Sequence, residues 1–110
     1  MQLSAVKRTK NRCFLSRKGS NVIRNRVIFT GRVQGVGFRH ATQMQARSYH
    51  VYGHVRNLEN GTVELVVEGD REEVAGFTAS VQERMAGVIK ETNTTTEVAS
   101  GDFADFTVLF

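Results

Sequence analysis

Residues 51–69 carry a hairpin pattern, which commits this chain to a fold built on a β-sheet. The dipeptide Asn60-Gly61 suits the positive φ angles of a tight hairpin turn. After the turn, every second residue is apolar, namely Val63, Leu65 and Val67. Period-two alternation of this kind is typical of a strand with one buried face. We therefore expect two antiparallel strands here, with Glu64 and Glu68 on a solvated face.

The flanking segments predict two helices and three more strands. The predicted elements are a strand over 25–34, a helix over 38–50, a second helix over 70–87, a threonine-rich edge strand over 91–99 and a short strand over 103–110. The second helix is indicated by an apolar stripe, formed by Val74, Phe77, Val81 and Met85. Asp70 and Glu73 resemble a capping pair at its start, and Gly87 suits its end.

This order of elements favours an α+β fold. Two helices can cover only one face of such a sheet, so the other face is expected to meet solvent. The economical arrangement is a ferredoxin-like split βαβ sandwich, an antiparallel sheet of four to five strands with both helices on one face. The 110 residues suffice for one such domain.

Positive charge is concentrated at the N-terminus. Residues 1–26 contain eight Lys or Arg and no acidic residue, whereas residues 27–110 contain seven basic and eleven acidic residues. We predict that residues 1–24 form a basic, disordered extension and that the domain spans residues 25–110. Two alternatives stay open for the extension: a targeting segment, because such segments are rich in Arg and Ser and poor in acids, or an arm that binds nucleic acid or an anionic membrane.

The segment GRVQGVGFRH, residues 31–40, places three glycines next to Arg39. Glycine permits positive φ, which lets backbone N–H groups converge on one point. The helix that follows adds N–H donors and the positive end of its dipole, and anions bind at such places. The planar guanidinium of Arg39 can hold a phosphate through two parallel hydrogen bonds. The pattern predicts a phosphate-binding loop, although a tight turn beside a solvated arginine would give the same residues.

This loop and the hairpin together resemble the acylphosphatase family. GRVQGVGFR is followed by GHVRNLENGTVELVVEG, which is similar to the family pattern G-x-V-Q-G-V-x-F-R and then G-x-V-R/K-N, a turn ending in Gly and an acidic-apolar strand ending in Gly. The match covers roughly residues 27–69 strongly and the rest of the domain more loosely. The resemblance implies a small ferredoxin-like enzyme that uses no metal and hydrolyses acyl phosphates to a carboxylate and inorganic phosphate.

The resemblance also implies roles for individual residues. Arg39 would bind the phosphoryl group, and Asn57 would orient the attacking water. Backbone N–H groups would complete the phosphate site, contributed by Gln34, Gly35, Val36, Gly37 and Phe38. We interpret the side chain of Gln34 as incidental, and strand alternation predicts that Arg56 points to the opposite sheet face from Asn57. The general base stays open, and the phosphate itself is one hypothesis.

Other reactive side chains indicate no second chemistry. The three histidines, His40, His50 and His54, form no metal-ligand motif, and a single Cys13 excludes an internal disulfide. His40 either tunes the field of the pocket or is simply an exposed helix residue. No apolar stretch approaches the roughly 18 residues of a membrane-spanning helix.

The sequence therefore predicts an acylphosphatase whose partner is a small acyl phosphate. We expect a cytoplasmic monomer with no cofactor, no obligate nucleic acid and no membrane span, and the basic extension leaves organelle targeting open. The alternative is a non-catalytic ferredoxin-like module that binds phosphate or RNA. The presence of both Arg39 and Asn57 favours the enzyme, because a binding module would require only the phosphate cradle.

Overall fold

The computed structural model describes residues 22–109, which form five strands and two helices. The strands are β1 (Val22–Gly31), β2 (Val51–Asn57), β3 (Val63–Asp70), β4 (Ile89–Val98) and β5 (Phe106–Val108), and the helices are α1 (Phe38–Ala46) and α2 (Arg71–Arg84). The element order is the predicted one. β1 takes in residues 22–24, which the sequence analysis assigned to the extension, and the rest of that extension lies outside the described residues.

The five strands form one sheet in the order β4-β1-β3-β2-β5. β1 pairs antiparallel with β3 and β4, and β2 pairs antiparallel with β3. β5 pairs parallel with β2, so the sheet is mixed rather than wholly antiparallel. The reason is the chain direction: β4 runs opposite to β2, and a chain that leaves β4 and turns back enters β5 along the direction of β2. The threonine-rich β4 lies at an edge of the sheet, as predicted.

Both helices pack on one face of the sheet, which confirms the predicted ferredoxin-like architecture. One apolar cluster joins alternate strand residues to the inner faces of the helices. Its helix members include Phe38 and Ala46 of α1 and Val74, Phe77 and Val81 of α2. Phe38 packs against Phe29 of β1 with ring centroids 5.1 Å apart. This contact anchors the start of α1 to the sheet and thereby positions the loop before it.

The opposite sheet face is not simply solvated, and the prediction for its glutamates was wrong. Glu64 is 1 % exposed and Glu68 is fully buried. The connection between β4 and β5, residues 99–105, crosses this face to reach the far edge of the sheet. On the way, the backbone N–H groups of Ser100 and Gly101 donate to the Glu68 carboxylate at 2.8 and 2.9 Å. Alternation along β3 could not reveal a cover that comes from Ser100 and Gly101, 32 and 33 residues away from Glu68 in sequence.

The predicted ends of the second helix also need correction. Asp70 occupies the N-cap position of α2 but makes no capping hydrogen bond through its side chain. Glu73 also has a partner outside the helix, because its Oε1 accepts a hydrogen bond from the backbone N–H of His50 at 2.7 Å. The helix ends at Arg84, three residues before Gly87. Glu73 therefore links α2 to the residue just before β2.

Candidate active site

The loop between β1 and α1 is shaped by two glycines. Gly35 and Gly37 both have φ of 77°, in the left-handed region that residues with a Cβ seldom adopt. A Cβ at either position would meet no atom within 4 Å. The requirement for glycine is therefore conformational and not steric. Gly37 is also the N-cap of α1, so this second bend leads directly into the helix.

The N-terminus of α1 has an electrostatic character that favours negative charge. No side chain caps it, and no acidic residue lies in its first turn. The first intrahelical hydrogen bond runs from the N–H of Ala41 to the carbonyl of Gly37 at 2.9 Å. The backbone N–H groups of the first turn of α1 precede that bond in the chain, and they point out of the helix along its axis. Together with the positive end of the helix dipole, they favour negative charge at this point.

Arg39 is held beside this N-terminus by the C-terminal strand. Its Nη1 donates a hydrogen bond to the carbonyl of Leu109 at 3.0 Å. Leu109 is itself fixed, because its N–H donates to the carbonyl of Val55 in β2 at 2.9 Å. A chain of two hydrogen bonds thus runs from β2 through Leu109, the residue just after β5, to the guanidinium. The guanidinium is oriented by the sheet and not only by its own helix.

Asn57 lies at the end of β2, at the same end of the sheet as the glycine loop. The neighbouring Arg56 points the other way, as predicted, because its Nε donates to Glu64 Oε1 at 2.6 Å on the face without helices. Asn57 is half-buried. The side-chain amide can accept hydrogen bonds through its oxygen and donate two through its NH₂ group, so it can fix the orientation of a water molecule.

Arg39 and Asn57 line one common pocket of about 240 Å³. Its walls are formed by nine residues, Val33, Gly35, Gly37, Phe38, Arg39, His40, Gln43, Asn57 and Val108. Five of the seven predicted site residues are among them. The other two, Gln34 and Val36, are not in the lining, and Val36 is 44 % exposed. The structure thus brings the two proposed catalytic side chains together, although they belong to different elements.

The pocket includes residues that the sequence did not single out. Gln43 and Val108 come from the second turn of α1 and from β5, and neither belongs to the glycine motif. His40 is exposed, as one interpretation held, and it also borders the pocket. An effect of His40 on the field of the pocket stays a hypothesis. Spacing within α1 could have indicated Gln43, which lies four residues after Arg39 on the same helix face. No local signal could have indicated Val108.

Gln34 has a structural role that the sequence analysis dismissed. Its Nε2 donates to the carbonyl of Leu58 at 2.8 Å and to the carbonyl of Thr62 at 2.9 Å. The side chain therefore connects the glycine loop to the turn between β2 and β3. Both acceptors are far away in sequence, which is why the motif alone could not reveal the contact.

The far face of the sheet carries its own charge network, separate from the pocket. Burial opposes ionisation of Glu64, but hydrogen bonds from Arg56 and Arg26 outweigh it, so the pKa of Glu64 is lowered from 4.5. Burial is also the largest cause at His54, and it lowers the pKa of that imidazole from 6.5 although Glu64 opposes the shift. Arg24 lies with its guanidinium 5.7 Å from the ring centre of Phe103. These groups stabilise the sheet and do not border the proposed site.

Neither a metal cluster nor a membrane helix is found in the part of the chain that the structure describes. Within residues 22–109, no three side chains of His, Cys, Asp or Glu are grouped as metal ligands would be. Neither α1 nor α2 has the length and the apolar character to cross a bilayer.

Comparison with known proteins decides the family. The acylphosphatase family model matches residues 25–108, which include both helices and all of the pocket lining. This chain belongs to the acylphosphatase family. An acylphosphatase from Syntrophotalea carbinolica is 43 % identical over 93 residues, covering 80 % of this chain and 97 % of the relative. An acylphosphatase from Methanothrix thermoacetophila is 35 % identical over 85 residues, covering 77 % and 94 %.

Solved acylphosphatase structures have the same fold. The structure of an acylphosphatase from Coxiella burnetii superposes with a TM-score of 0.75 at 32 % identity, covering 86 % of this chain and 99 % of that one. The acylphosphatase from Bacillus subtilis superposes with a TM-score of 0.71 at 28 % identity, covering 80 % and 99 %. The resemblance inferred from the sequence motifs is therefore confirmed, as is the fold.

Proposed function

We propose that this protein hydrolyses acyl phosphates to a carboxylate and inorganic phosphate. The observation that carries the proposal is that Arg39 and Asn57 line one pocket at the N-terminus of α1. Membership of the acylphosphatase family supports it. The proposed partner is a small acyl phosphate, and we propose that the protein acts on it as a monomer. A cytoplasmic location stays a prediction.

In this proposal the phosphoryl group binds against the glycine loop. Its equatorial oxygens accept hydrogen bonds from the loop N–H groups between Gln34 and Phe38, and the guanidinium of Arg39 supplies a permanent positive charge. A charged, planar donor and several fixed dipoles stabilise the dispersed negative charge of the phosphoryl transition state. Positioning and charge are what phosphoryl transfer mainly asks of a protein, so these groups account for catalysis without a metal.

Asn57 then orients the water that attacks phosphorus. The attack forms a P–O bond and breaks the bond between phosphorus and the acyl oxygen, and the electron pair leaves with the carboxylate. A carboxylate is a good leaving group, so no strong general acid is required. The proton lost by the water passes to a phosphate oxygen in a substrate-assisted step. The products are a carboxylate and dihydrogen phosphate, which then exchanges its proton with solvent.

The alternative, a non-catalytic phosphate- or RNA-binding module, is not favoured. The relatives and the solved structures described above are acylphosphatases. The position of Asn57 in the pocket also argues against it, because a module that only binds phosphate has no use for a group that orients water.

The direct test is hydrolysis of benzoyl phosphate by the purified full chain in the presence of EDTA. We expect turnover that EDTA does not reduce, loss of turnover in Arg39→Ala, and full turnover in Arg47→Ala, a matched control at an exposed arginine just beyond α1. Binding of inorganic phosphate without any turnover would instead support the binding module. Turnover that disappears with EDTA would contradict the metal-independent mechanism.

A further inference from the structure

One side chain joins the two halves of the proposed active site. Gln34 belongs to the glycine loop, and its Nε2 lies 2.8 Å from the carbonyl oxygen of Leu58 and 2.9 Å from that of Thr62. Leu58 directly follows Asn57 in the chain. Gln34 is half-buried and does not line the pocket. Its side chain therefore contacts the turn that carries Asn57 without being placed to touch a substrate.

The two acceptors lie at the base of the turn between β2 and β3. Asn57 is the register partner of Val63. One residue closer to the turn on each arm, the N–H of Leu58 donates a hydrogen bond to the carbonyl of Thr62 at 2.9 Å. The Thr62 carbonyl thus accepts from both Leu58 and Gln34. The side-chain amide binds both arms of the turn at once, immediately beyond Asn57.

Only a doubly donating group can fill this position. Both partners are carbonyl oxygens, so the NH₂ end of the amide must face them, and it supplies one proton to each. A glutamate of the same shape would place a carboxylate against two carbonyl oxygens. A methionine would fill the space but leave both acceptors without this donor. The chemistry of the contact is therefore specific to the amide.

The pocket needs such a connection because its groups come from separate elements. The phosphate loop and Arg39 belong to the segment between β1 and α1, whereas Asn57 ends β2, and β3 lies between β1 and β2 in the sheet. Hydrolysis requires the water and the phosphorus to be held in a near-attack geometry, and a displacement of about 1 Å can cost about 100-fold in rate. A bond between the loop and the turn fixes that distance.

We propose that Gln34 is a positioning residue that sets the distance between the phosphate loop and Asn57. It acts through Asn57, and the inference rests on the proposed acyl phosphate hydrolysis. Loss of the Gln34 side-chain amide would leave the loop N–H groups and Arg39 in place. The side chain therefore governs the rate of the chemical step more than the affinity for phosphate.

The test is a double-mutant cycle between Gln34 and Asn57 in the full chain, with benzoyl phosphate as substrate and inorganic phosphate as inhibitor. Gln34→Glu is expected to lower kcat by about 10- to 100-fold while the Ki for phosphate changes by less than about threefold. In an Asn57→Ala background the same substitution is expected to have almost no further effect on kcat, because the group that it positions is gone. Gln82→Glu, at an exposed position on α2, controls for the added charge.

Each other outcome has a defined meaning. Equal losses of kcat for Gln34→Glu in the two backgrounds, or a rise in Ki with kcat unchanged, would overturn the positioning role while leaving the proposed function intact. Absence of turnover in the unaltered protein would overturn the proposed function and this inference with it. Thermal melts confirm folding, and if Gln34→Glu does not fold, Gln34→Met carries the same cycle with the same expected results.

Discussion

The guanidinium of Arg39 and the backbone carbonyl of Leu109 are joined by a hydrogen bond of 3.0 Å. The proposed phosphate-binding side chain thus depends on the end of β5, 70 residues later in the chain. The guanidinium is planar and carries several N–H donors, and this bond uses only one of its edges. The group can therefore bind the Leu109 carbonyl and a second partner at once.

We predict that Arg39→Lys loses activity although it keeps the positive charge. A lysine ammonium is a point donor and cannot bond the Leu109 carbonyl and two phosphate oxygens in the same geometry. We expect kcat/KM for benzoyl phosphate to fall at least about tenfold, which corresponds to the loss of about one charge-assisted hydrogen bond. Arg47→Lys is the matched control and should be unchanged. Equal activity of Arg39→Lys and the unaltered protein would show that charge alone is sufficient.

The left-handed conformation of Gly37 makes a prediction about stability. Gly37→Ala should lower the free energy of unfolding by about 1–2 kcal/mol, because an L-residue is forced into the left-handed region. Gly87→Ala is the control, since a Cβ there also meets no atom within 4 Å and Gly87 is not among the glycines with positive φ. Urea unfolding measures both variants. If both lose the same stability, the backbone angle at residue 37 is not the cause.

The fold as a whole was predictable because its signals are local. The alternation after Asn60-Gly61 and the stripe of Val74, Phe77 and Val81 each depend on periods within one element, and these elements are present as expected. Arg39 and Asn57 were found because the motif places them 18 positions apart. The pocket that they share follows from the sheet order.

What the sequence could not reveal depends on contacts between distant segments. Glu64 and Glu68 look solvated in their own strand, and only the crossing of residues 99–105 and the arginines of neighbouring strands explain their burial. The side chain of Gln34 looked incidental for the same reason, because its partners lie 24 and 28 residues away. The alternation of apolar residues and the glycine motif carry no information about such distant partners.

The network on the far face of the sheet predicts a loss of stability in acid. The folded-state pKa of His54 is below 6.5, so as the pH falls below that value the unfolded chain gains a proton that the folded protein does not take up. Stability is therefore full above about pH 6.5 and declines below it, and the lowered pKa of Glu64 adds a further decline below about 4.5.

Thermal melts between pH 7.5 and 4 measure this dependence. In His54→Gln, the decline in Tm between pH 6.5 and the lower folded-state pKa of His54 should disappear. In His40→Gln, a change at an exposed position, that decline should remain. A Tm of the unaltered protein that stays constant from pH 7 to 5 would contradict the assigned shift at His54.

The basic N-terminal segment is predicted to be dispensable for catalysis. The family match begins at residue 25 and β1 begins at Val22. A chain lacking residues 1–21 should therefore hydrolyse benzoyl phosphate with kcat and KM within about twofold of the full chain. A large loss in either constant would mean that this segment belongs to the functional domain.

The division of labour between Arg39 and Asn57 is tested most directly by measuring, in one series, kcat for benzoyl phosphate and Ki for inorganic phosphate in Arg39→Ala and Asn57→Ala. Arg39→Ala should lose both turnover and phosphate affinity. Asn57→Ala should lose at least about 100-fold in kcat and keep Ki within about threefold, because orienting water is a separate task from binding phosphate. An equal rise of Ki in both variants, or an Asn57→Ala variant with undiminished kcat, would contradict this account.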